Sequence, residues 1–352
     1  MGGLTASQRR LASARSGRIC CRRQGRKVGS LVVLGSLLVL AGCSGPLSTL
    51  DAAGRGAERI ATLFWWLAAS AILIWVAVIG LTVYAVRLRP EPHSQRAAKL
   101  LIIGGGVALP TLVLAGYLVY GLSLLPDLLQ PAPPGSLRIA VTGEQWWWRV
   151  RYLAPDGEAV ELANELRLPV GEPVEVLLDS PDVIHSFWIP SLAGKLDMIP
   201  GRVNRMALEP TKTGVFQGAC AEYCGTAHAL MRFYVAVEEK EKFARWLARQ
   251  KQPAQAAAGP LARRGQELFL ANGCGACHAI RGTPAEGVIG PDLTHVGGRL
   301  SLGAGILPNE ADDFLRWMAR TEDLKPGVHM PSFGMLPTQH LRALAAYLDG
   351  LE

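Results

Sequence analysis

Two long apolar stretches, residues 61–86 and 100–122, constrain this chain more than any other feature of its sequence. Each is long enough to cross the roughly 30 Å hydrocarbon core of a bilayer as a helix. Trp65, Trp66 and Tyr84 lie near the ends of the first stretch, where aromatic rings favour the membrane–water interface. A hairpin buried inside a soluble protein is the alternative, but both stretches are more apolar than ordinary core helices. The sequence therefore predicts a membrane-spanning hairpin within residues 43–130.

Basic residues predict the orientation of this hairpin. The loop between the two stretches contains Arg87, Arg89, Arg96 and Lys99. The positive-inside rule places such a loop in the cytoplasm. We therefore expect a two-pass protein of a bacterial plasma membrane, with everything after Leu125 on the periplasmic or extracellular side.

The N-terminus resembles a bacterial export signal. Eight basic residues and no acidic residue precede Leu31, and the apolar run 31–40 is too short to span a bilayer. The tetrapeptide Leu40-Ala41-Gly42-Cys43 resembles the lipobox of bacterial lipoproteins. We therefore predict a lipoprotein-type signal peptide over residues 1–42 and lipidation of Cys43. An ordinary signal peptide and an uncleaved anchor are the alternatives.

The net charge of +7 resides in this leader. Without its eight basic residues, 28 basic residues face 29 acidic ones, and the remaining chain has a net charge of about −1. The basic balance is therefore no sign of nucleic-acid binding, and no nucleic-acid partner is expected.

Short β-rich segments follow the hairpin. Their ranges are 137–153, 173–179, 204–209 and 231–237. Turn residues such as Pro200-Gly201 separate them, which predicts a small antiparallel β-sandwich or barrel within residues 131–250. An amphipathic helix over 239–249 ends this domain.

The C-terminal part has a different composition. Residues 251–260, KQPAQAAAGP, are typical of a linker. Helical patterns then occur at 261–271, 310–320 and 338–351, which predicts a small all-helical domain over residues 261–352. A domain of fewer than about 100 residues has little core of its own, so we expect a cofactor in its middle.

The cysteines point to two chemical sites. Of seven cysteines, Cys20 and Cys21 lie in the leader and Cys43 at the lipidation site, which leaves the pairs Cys220/Cys224 and Cys274/Cys277. Two disulfides are the simplest alternative for an extracytoplasmic protein. The residues beside each pair argue against it.

The second pair lies in Cys274-Gly-Ala-Cys277-His278, the CxxCH pattern of covalent c-type haem attachment. Both thiols bond to the haem, and His278 is then placed to ligate the iron. A thioether on the opposite face raises the reduction potential. Met330 is the predicted sixth ligand, and Met335 is its competitor.

The first pair lies in a loop of soft ligands, Cys220-Ala-Glu222-Tyr-Cys224-Gly-Thr-Ala-His228-Ala-Leu-Met231. Two thiolates, an imidazole and a thioether suit copper. Zinc is the alternative, although methionine is a poor zinc ligand. A second imidazole is needed for two equivalent coppers, and His185 at the end of the preceding strand pattern is the candidate.

These motifs together resemble subunit II of the cytochrome c oxidases. The resemblance rests on the hairpin, the Gly143–Arg149 block GEQWWWR, the run from Pro181 to Arg202 and the cysteine loop, and it covers residues from about 55 to 245. The haem domain resembles the C-terminal extension of the caa-type branch. The implied fold is a transmembrane hairpin, an all-β cupredoxin domain and an all-α class I cytochrome c domain.

The resemblance implies the roles of individual residues. A binuclear copper centre, CuA, would be held by His185, Cys220, the backbone carbonyl of Glu222, Cys224, His228 and Met231. The Glu222 side chain would reach a magnesium ion shared with subunit I. Trp146 would be the exposed aromatic residue at which electrons enter CuA.

The implied function is electron transfer in a haem-copper terminal oxidase. Electrons would pass from cytochrome c or another external donor to haem c, then to CuA and to haem a of subunit I. Oxygen is reduced to water there, coupled to proton translocation, in a complex that also contains subunit III and membrane lipid.

Three other interpretations compete with this one, and the sequence argues against the first two. Nitrous oxide reductase also holds CuA, but it is soluble and needs a histidine-rich second cluster that seven scattered histidines do not supply. Quinol oxidase subunit II lacks the copper ligands. A membrane-tethered copper or haem carrier without an oxidase partner would differ in the proteins that co-purify with it.

Overall fold

The computed structural model describes residues 45–88, 94–154 and 159–352. The predicted signal peptide and Cys43 lie outside these ranges. The described part contains two long helices, a β-sandwich and a small helical domain, in that order.

The two long helices form the predicted hairpin. Helix α1 covers Arg55–Val83 and continues as a π-helical turn, Tyr84–Leu88. The second helix begins as α2, Gln95–Lys99, continues through a π-helical segment, Leu100–Ala108, and ends as α3, Leu109–Leu129. Both are long and apolar enough to cross a membrane, and the most apolar window of each is entirely unburied.

Both helices extend past the predicted apolar stretches, and polar side chains join one helix to the other. Arg59 of α1 forms an ion pair with Asp127 of α3 at 2.9 Å, which lies near the sandwich end of the hairpin. Further along, the Tyr117 hydroxyl donates to the Trp66 carbonyl and to Ser70 Oγ, at 3.0 Å in each case. One ion pair and two hydrogen bonds therefore connect the two helices within an otherwise apolar surface.

Ten strands build the sandwich. They are β1 Leu137–Glu144, β2 Trp147–Leu153, β3 Ala159–Ala163, β4 Glu165–Pro169, β5 Val174–Asp179, β6 His185–Trp188, β7 Leu196–Met198, β8 Asn204–Leu208, β9 Gly214–Cys220 and β10 Arg232–Glu238. They form two five-stranded sheets with the orders β3-β2-β1-β5-β8 and β4-β10-β9-β6-β7.

The sheets are mixed, so the expectation of a purely antiparallel sandwich was wrong. Strand β1 pairs with β5 in parallel, and β4 pairs with β10 in parallel. Parallel neighbours need a crossover connection. Here the other sheet supplies it, since β4 lies between β1 and β5 along the chain but belongs to the opposite sheet.

Aromatic residues fill the space between the sheets. Trp148, Phe187 and Phe233 are fully buried, and their ring centroids lie 5.0 to 5.8 Å apart. A Cβ on Gly218 of β9 would lie 2.0 Å from the Phe233 ring, so only glycine fits there. These three rings join the two sheets, because Trp148 lies on β2 of the first sheet and Phe187 and Phe233 lie on β6 and β10 of the second.

Helix α4, Lys240–Gln250, closes the sandwich by packing Phe243 and Trp246 against Tyr152. The following segment is held by the C-terminal domain. The Ala254 amide donates to the Arg281 carbonyl at 2.9 Å, and His295 bonds the carbonyls of Gln252 and Glu352.

The C-terminal domain contains α5 Gly259–Ala271, α6 Ala311–Ala319, α7 Thr321–Leu324 and α8 Thr338–Asp349. Helices α5 and α8 cross closely, since a Cβ on Gly265 would lie 2.0 Å from the Ala343 carbonyl oxygen. The three predicted helices are present, and α7 is additional. The fold class predicted from sequence is confirmed.

The helical domain contacts the sandwich directly. The Leu300 amide donates to Glu165 Oε2 at 2.6 Å, and the Arg149 guanidinium donates to the Val288 carbonyl at 3.0 Å. The Arg232 amide donates to the Ala304 carbonyl at 3.2 Å. These contacts place the helical domain beside the cysteine loop.

Candidate functional site

The predicted copper ligands meet at one end of the second sheet. His185 begins β6 and Cys220 ends β9, and these strands are neighbours in which Phe187 pairs with Cys220. The loop between β9 and β10 contributes the remaining ligands, with His228 in a short 3-10 turn. Pairing of β6 with β9 therefore brings two ligands together that lie 35 positions apart.

The distances between the ligand atoms are short. The two thiol sulfurs of Cys220 and Cys224 are 3.8 Å apart. Cys220 Sγ lies 3.9 Å from His185 Nδ1 and 3.2 Å from the Glu222 carbonyl oxygen. Cys224 Sγ lies 3.4 Å from His228 Nδ1 and 3.8 Å from Met231 Sδ. Each thiol thus has one imidazole and one further donor beside it.

This donor set fits a pair of coppers bridged by the two cysteines. Thiolate and thioether donors select soft metals, and a thioether disfavours zinc. His185, Cys220 and Cys224 are buried, with ligand atoms within 4.8 Å of one another. The two sulfurs lie in the middle of the set, so both thiolates would be placed to hold the copper pair.

Asp182 orients the His185 ring. Its Oδ1 lies 2.8 Å from His185 Nε2, which leaves Nδ1 directed at Cys220. The carboxylate itself accepts bonds from the amides of Gln145 and Val183, at 2.7 and 2.6 Å. Burial acts to raise the pKa of Asp182, but these bonds outweigh it and lower that pKa overall. The carboxylate therefore stays charged beside His185.

The thiols are prepared for metal binding. A hydrogen bond from Cys224 lowers the pKa of Cys220 to about 3. The same contact raises the pKa of Cys224, because its proton is held between the two sulfurs. Cys220 is therefore the more readily ionised thiol of the pair, and metal binding would displace the proton of Cys224.

The Glu222 side chain points to a different environment from its carbonyl. Its Oε2 lies 3.8 Å from Lys195 Nζ, and Lys195 also binds Asp197 Oδ1 at 2.8 Å. The Glu222 side chain is 46% exposed. The Glu222 carboxylate thus lies at the protein surface, while the Glu222 carbonyl lies beside Cys220 in the copper site.

The haem motif lines a cavity of about 600 Å³. Cys274, Cys277 and His278 form part of its wall, and its apolar lining includes Phe269, Phe314, Met318, Leu344 and Leu348. The cavity lies between the core of the helical domain and the sandwich, whose residues Glu144 to Trp147 also line it. Its size, apolar walls and paired thiols fit a covalently attached haem.

His278 is oriented for iron. Its Nδ1 bonds the Pro291 carbonyl at 2.8 Å, which leaves Nε2 as the free nitrogen. Burial lowers the pKa of His278, so its ring is neutral, as an iron ligand must be. A Cβ on Gly290 would lie 2.6 Å from this ring, so glycine is required there.

The two candidate methionines differ in position. Met330 lines the cavity, as does His329. Met335 is 77% exposed and lies outside the cavity wall. The structure thus brings Met330, and not Met335, to the same cavity as His278.

Trp146 lies between the two sites, and its predicted exposure was wrong. Its indole is only 7% exposed, because the helical domain covers it. Its Nε1 donates to the Cys224 carbonyl at 2.9 Å, and a Cβ on Gly327 would lie 3.1 Å from its ring. The indole therefore contacts the cysteine loop on one side and the loop that precedes Met330 on the other.

Sequence reasoning missed three residues that shape these sites. Asp182 orients His185, Gln145 donates to the Cys224 carbonyl at 2.7 Å, and Lys325 binds the Trp146 carbonyl at 2.6 Å. Asp182, three residues before a candidate ligand, was a detectable signal. The other two act on backbone carbonyls across long sequence separations, which no motif reveals.

Comparisons with known proteins match the copper domain and the haem domain to separate families. The family described as cytochrome c oxidase subunit II, periplasmic domain, matches residues 154–238, and the cytochrome c family matches residues 262–352. Cytochrome c oxidase subunit 2 of Alkalihalophilus pseudofirmus is 32% identical over 338 residues, covering 90% of this chain and 94% of that protein. The Bacillus subtilis protein of the same name is 30% identical over 342 residues, covering 90% and 95%. The crystal structure of the periplasmic domain of oxidase subunit II from Bradyrhizobium japonicum is 36% identical, covering 34% of this chain and 96% of that chain, with a TM-score of 0.32.

Proposed function

Since this chain belongs to the cytochrome c oxidase subunit II family and ends in a cytochrome c domain, we propose that it receives electrons at its haem domain and delivers them through its copper domain to subunit I. Oxygen is reduced to water in subunit I, and the complex couples that reaction to proton translocation. The observation that carries this order is Trp146, which contacts both sites.

The cofactors supply one-electron chemistry when bound. The chain supplies the ligands and surrounding side chains of each cofactor, which we call its cage. His185, Cys220, the Glu222 carbonyl, Cys224, His228 and Met231 would hold the copper pair. Cys274 and Cys277 would attach the haem, with His278 and Met330 on its two faces. Both cages are partly closed by packed side chains, which limits rearrangement during electron transfer.

Trp146 would shorten the route between the cages. Its indole donates a hydrogen bond to the Cys224 carbonyl and packs against Gly327 of the haem domain. A route through a packed ring that is hydrogen-bonded on one side couples two centres better than an unfilled space of the same length. We therefore assign Trp146 as the entry to the copper centre for electrons from this chain's own haem.

The membrane arrangement supports delivery to an integral partner. Both long helices are apolar and unburied, so a bilayer and a neighbouring subunit would cover them. With the basic loop in the cytoplasm, both redox domains lie outside, where an external donor has access. Lipidation of Cys43 would add to this anchoring.

Glu222 would face subunit I. Its carboxylate is half-exposed beside Lys195 and Asp197, on the same loop as the copper ligands. A hard carboxylate oxygen suits magnesium better than copper. We therefore propose that Glu222 contributes to a magnesium ion shared with subunit I.

The test uses the complex purified in detergent. The proposal expects co-purification with a large haem-containing membrane subunit, and rapid reduction of haem c followed by reduction of CuA. Trp146→Leu should slow the second step and leave the first unchanged, while Trp146→Phe, which keeps a ring, should lie between. Direct reduction of CuA by the donor ahead of haem c would contradict the order.

A further inference from the structure

Lys325 occupies an unusual place for a lysine. Its side chain is 2% exposed, and it is the only lysine after Lys251. Its Nζ donates to the Trp146 carbonyl at 2.6 Å and to the Gly303 carbonyl at 3.1 Å. Trp146 belongs to the copper domain and Gly303 to the haem domain, so one amine bonds both sides of the interface.

Such burial is uncommon for a lysine. Burial lowers the pKa of Lys325 to about 7, and the residue also lines the cavity that the haem would fill. Burying an amino group costs free energy, which its hydrogen bonds to the two carbonyls offset in part. The neutral amine has two N–H donors and the ammonium has three, so either form can bond both carbonyls and the bridge does not depend on the charge.

Lys325 also begins the loop that carries Met330. The Lys325 amide donates to the Thr321 carbonyl at 2.9 Å, which fixes the loop to α7. Two residues later, Gly327 packs on the Trp146 ring, and its positive φ of 80° suits glycine. Lys325 therefore anchors this loop to the main chain of the same tryptophan whose ring the loop covers.

Other interdomain bonds do not perform this task. The Leu300–Glu165 and Arg149–Val288 contacts join the domains through groups that do not bond Trp146 or Lys325. They would keep the haem domain attached if the Lys325 bridge were removed. Loss of the bridge should thus disturb the alignment at Trp146 without releasing the domain.

We propose that Lys325 is a positioning residue for electron transfer between the two domains, because it fixes the Met330 loop on Trp146. This inference rests on the proposed order from haem c to CuA. In that step ferrous haem c loses one electron, the oxidised copper pair gains it, and no bond or proton is transferred. Lys325 contributes geometry alone.

The experiment compares Lys325→Met with the wild-type complex, fully loaded and in detergent. Methionine has a similar length and no N–H donor. Arg263→Met is the control, since it removes an exposed cation from the same domain. The measurements are the rate of CuA reduction after rapid reduction of haem c, the CuA–haem distance distribution from paramagnetic relaxation, and hydrogen exchange at the Leu300 and Gly327 amides.

For Lys325→Met we expect transfer to CuA slowed by about tenfold or more, because small misalignments of reacting groups have large effects on rate. The distance distribution should broaden, and the Gly327 amide should exchange faster while the Leu300 amide is unchanged. Reduction of haem c by the external donor should match the wild type, as should every property of Arg263→Met. Wild-type transfer and distances in Lys325→Met would overturn the proposal.

Two further outcomes separate a packing role of Lys325, and a failure of the proposed electron order, from the positioning role. If Lys325→Met fails to incorporate haem, the comparison uses Lys325→Arg, which retains N–H donors. Lys325→Arg must then incorporate haem and transfer electrons faster than any neutral variant. An equally defective Lys325→Arg would show that the role of Lys325 is packing. If wild-type CuA is not reduced from haem c at all, the proposed order fails instead, and the distance and exchange data still report on the Lys325 bridge.

Discussion

The copper site and the haem site differ in how much of each the protein forms by itself. The copper ligands lie on a sandwich with a fully buried aromatic core, and neighbouring donor atoms are between 3.2 and 3.9 Å apart. The haem ligands instead border a cavity of about 600 Å³ that lies between the core of their own domain and the sandwich. A small ion can be added to a finished fold, whereas a macrocycle has to supply part of the core. The same difference should appear when each cofactor is removed.

Removal of haem attachment should have the largest effect. In the Cys274→Ser/Cys277→Ser double variant the cavity loses its covalent occupant, so we expect the haem domain to unfold while the sandwich remains folded. Hydrogen exchange would show full exchange in α5 and α8 and wild-type protection in β1 and β9. Covalent haem staining on a denaturing gel should be lost. Normal staining would contradict the haem assignment.

Removal of a copper ligand should have a smaller structural effect. Cys224→Ser takes away one bridging sulfur, so the CuA optical and paramagnetic signals should disappear. The sandwich should remain folded, because Trp148, Phe187 and Phe233 pack without the metal. Haem c should still be reduced by the donor but fail to pass its electron on. Unfolding of the sandwich would show that copper, and not the aromatic core, stabilises it.

The residues that orient the two histidines provide a finer comparison. His278 is oriented by the Pro291 backbone carbonyl, which substitution does not remove, whereas His185 is oriented by the Asp182 side chain. Asp182→Ala should therefore lower copper affinity by about 10–100-fold, measured by competition with a chelator. Glu175→Gln, which alters the carboxylate of a partly buried ion pair with Arg138 on the other sheet, is the control. Unchanged affinity in Asp182→Ala would mean that packing alone orients His185.

The methionine ligand should change potential rather than structure. Met330→His should retain haem and lower its reduction potential, because imidazole stabilises ferric iron better than a thioether does. Met330→Leu should abolish the methionine–iron absorption band, and Met335→Leu should leave it intact, since Met335 is exposed. The reverse result for the two leucine variants would reassign the ligand.

The sequence predicted those features that local chemistry determines. The hairpin, the four cysteines of the two sites, His185 and the terminal helices follow from hydropathy, spacing and ligand type. Strands β3, β4, β7 and β9 lie outside the predicted segments, and β9 contains two glycines, which are rare in strands. The parallel pairs were not predicted either, because they depend on the chain crossing between sheets.

The interface between the domains was beyond sequence reasoning. Trp146 was expected to be exposed, since a single-domain view gives no sign that another domain covers it. From the sequence alone, Lys325 would be interpreted as a surface lysine at the start of a proline-containing loop. Its partner, the Trp146 carbonyl, lies 179 positions away and is a main-chain atom that leaves no pattern in the sequence.

The smallest effect is expected for Glu222→Gln. The Glu222 carbonyl beside Cys220 is part of the backbone and survives the substitution, while the carboxylate lies beside Lys195 at the surface. The optical and paramagnetic signals of CuA should therefore match the wild type. A magnesium or manganese site in the assembled oxidase should weaken, because an amide oxygen is a poorer ligand than a carboxylate for a hard cation. Manganese paramagnetic resonance would measure this, with Glu172→Gln, at an ion pair on the sandwich surface, as the control. A loss of copper signal as complete as in Cys224→Ser would show that the Glu222 side chain itself binds copper, and its separate role at a second metal would then be wrong.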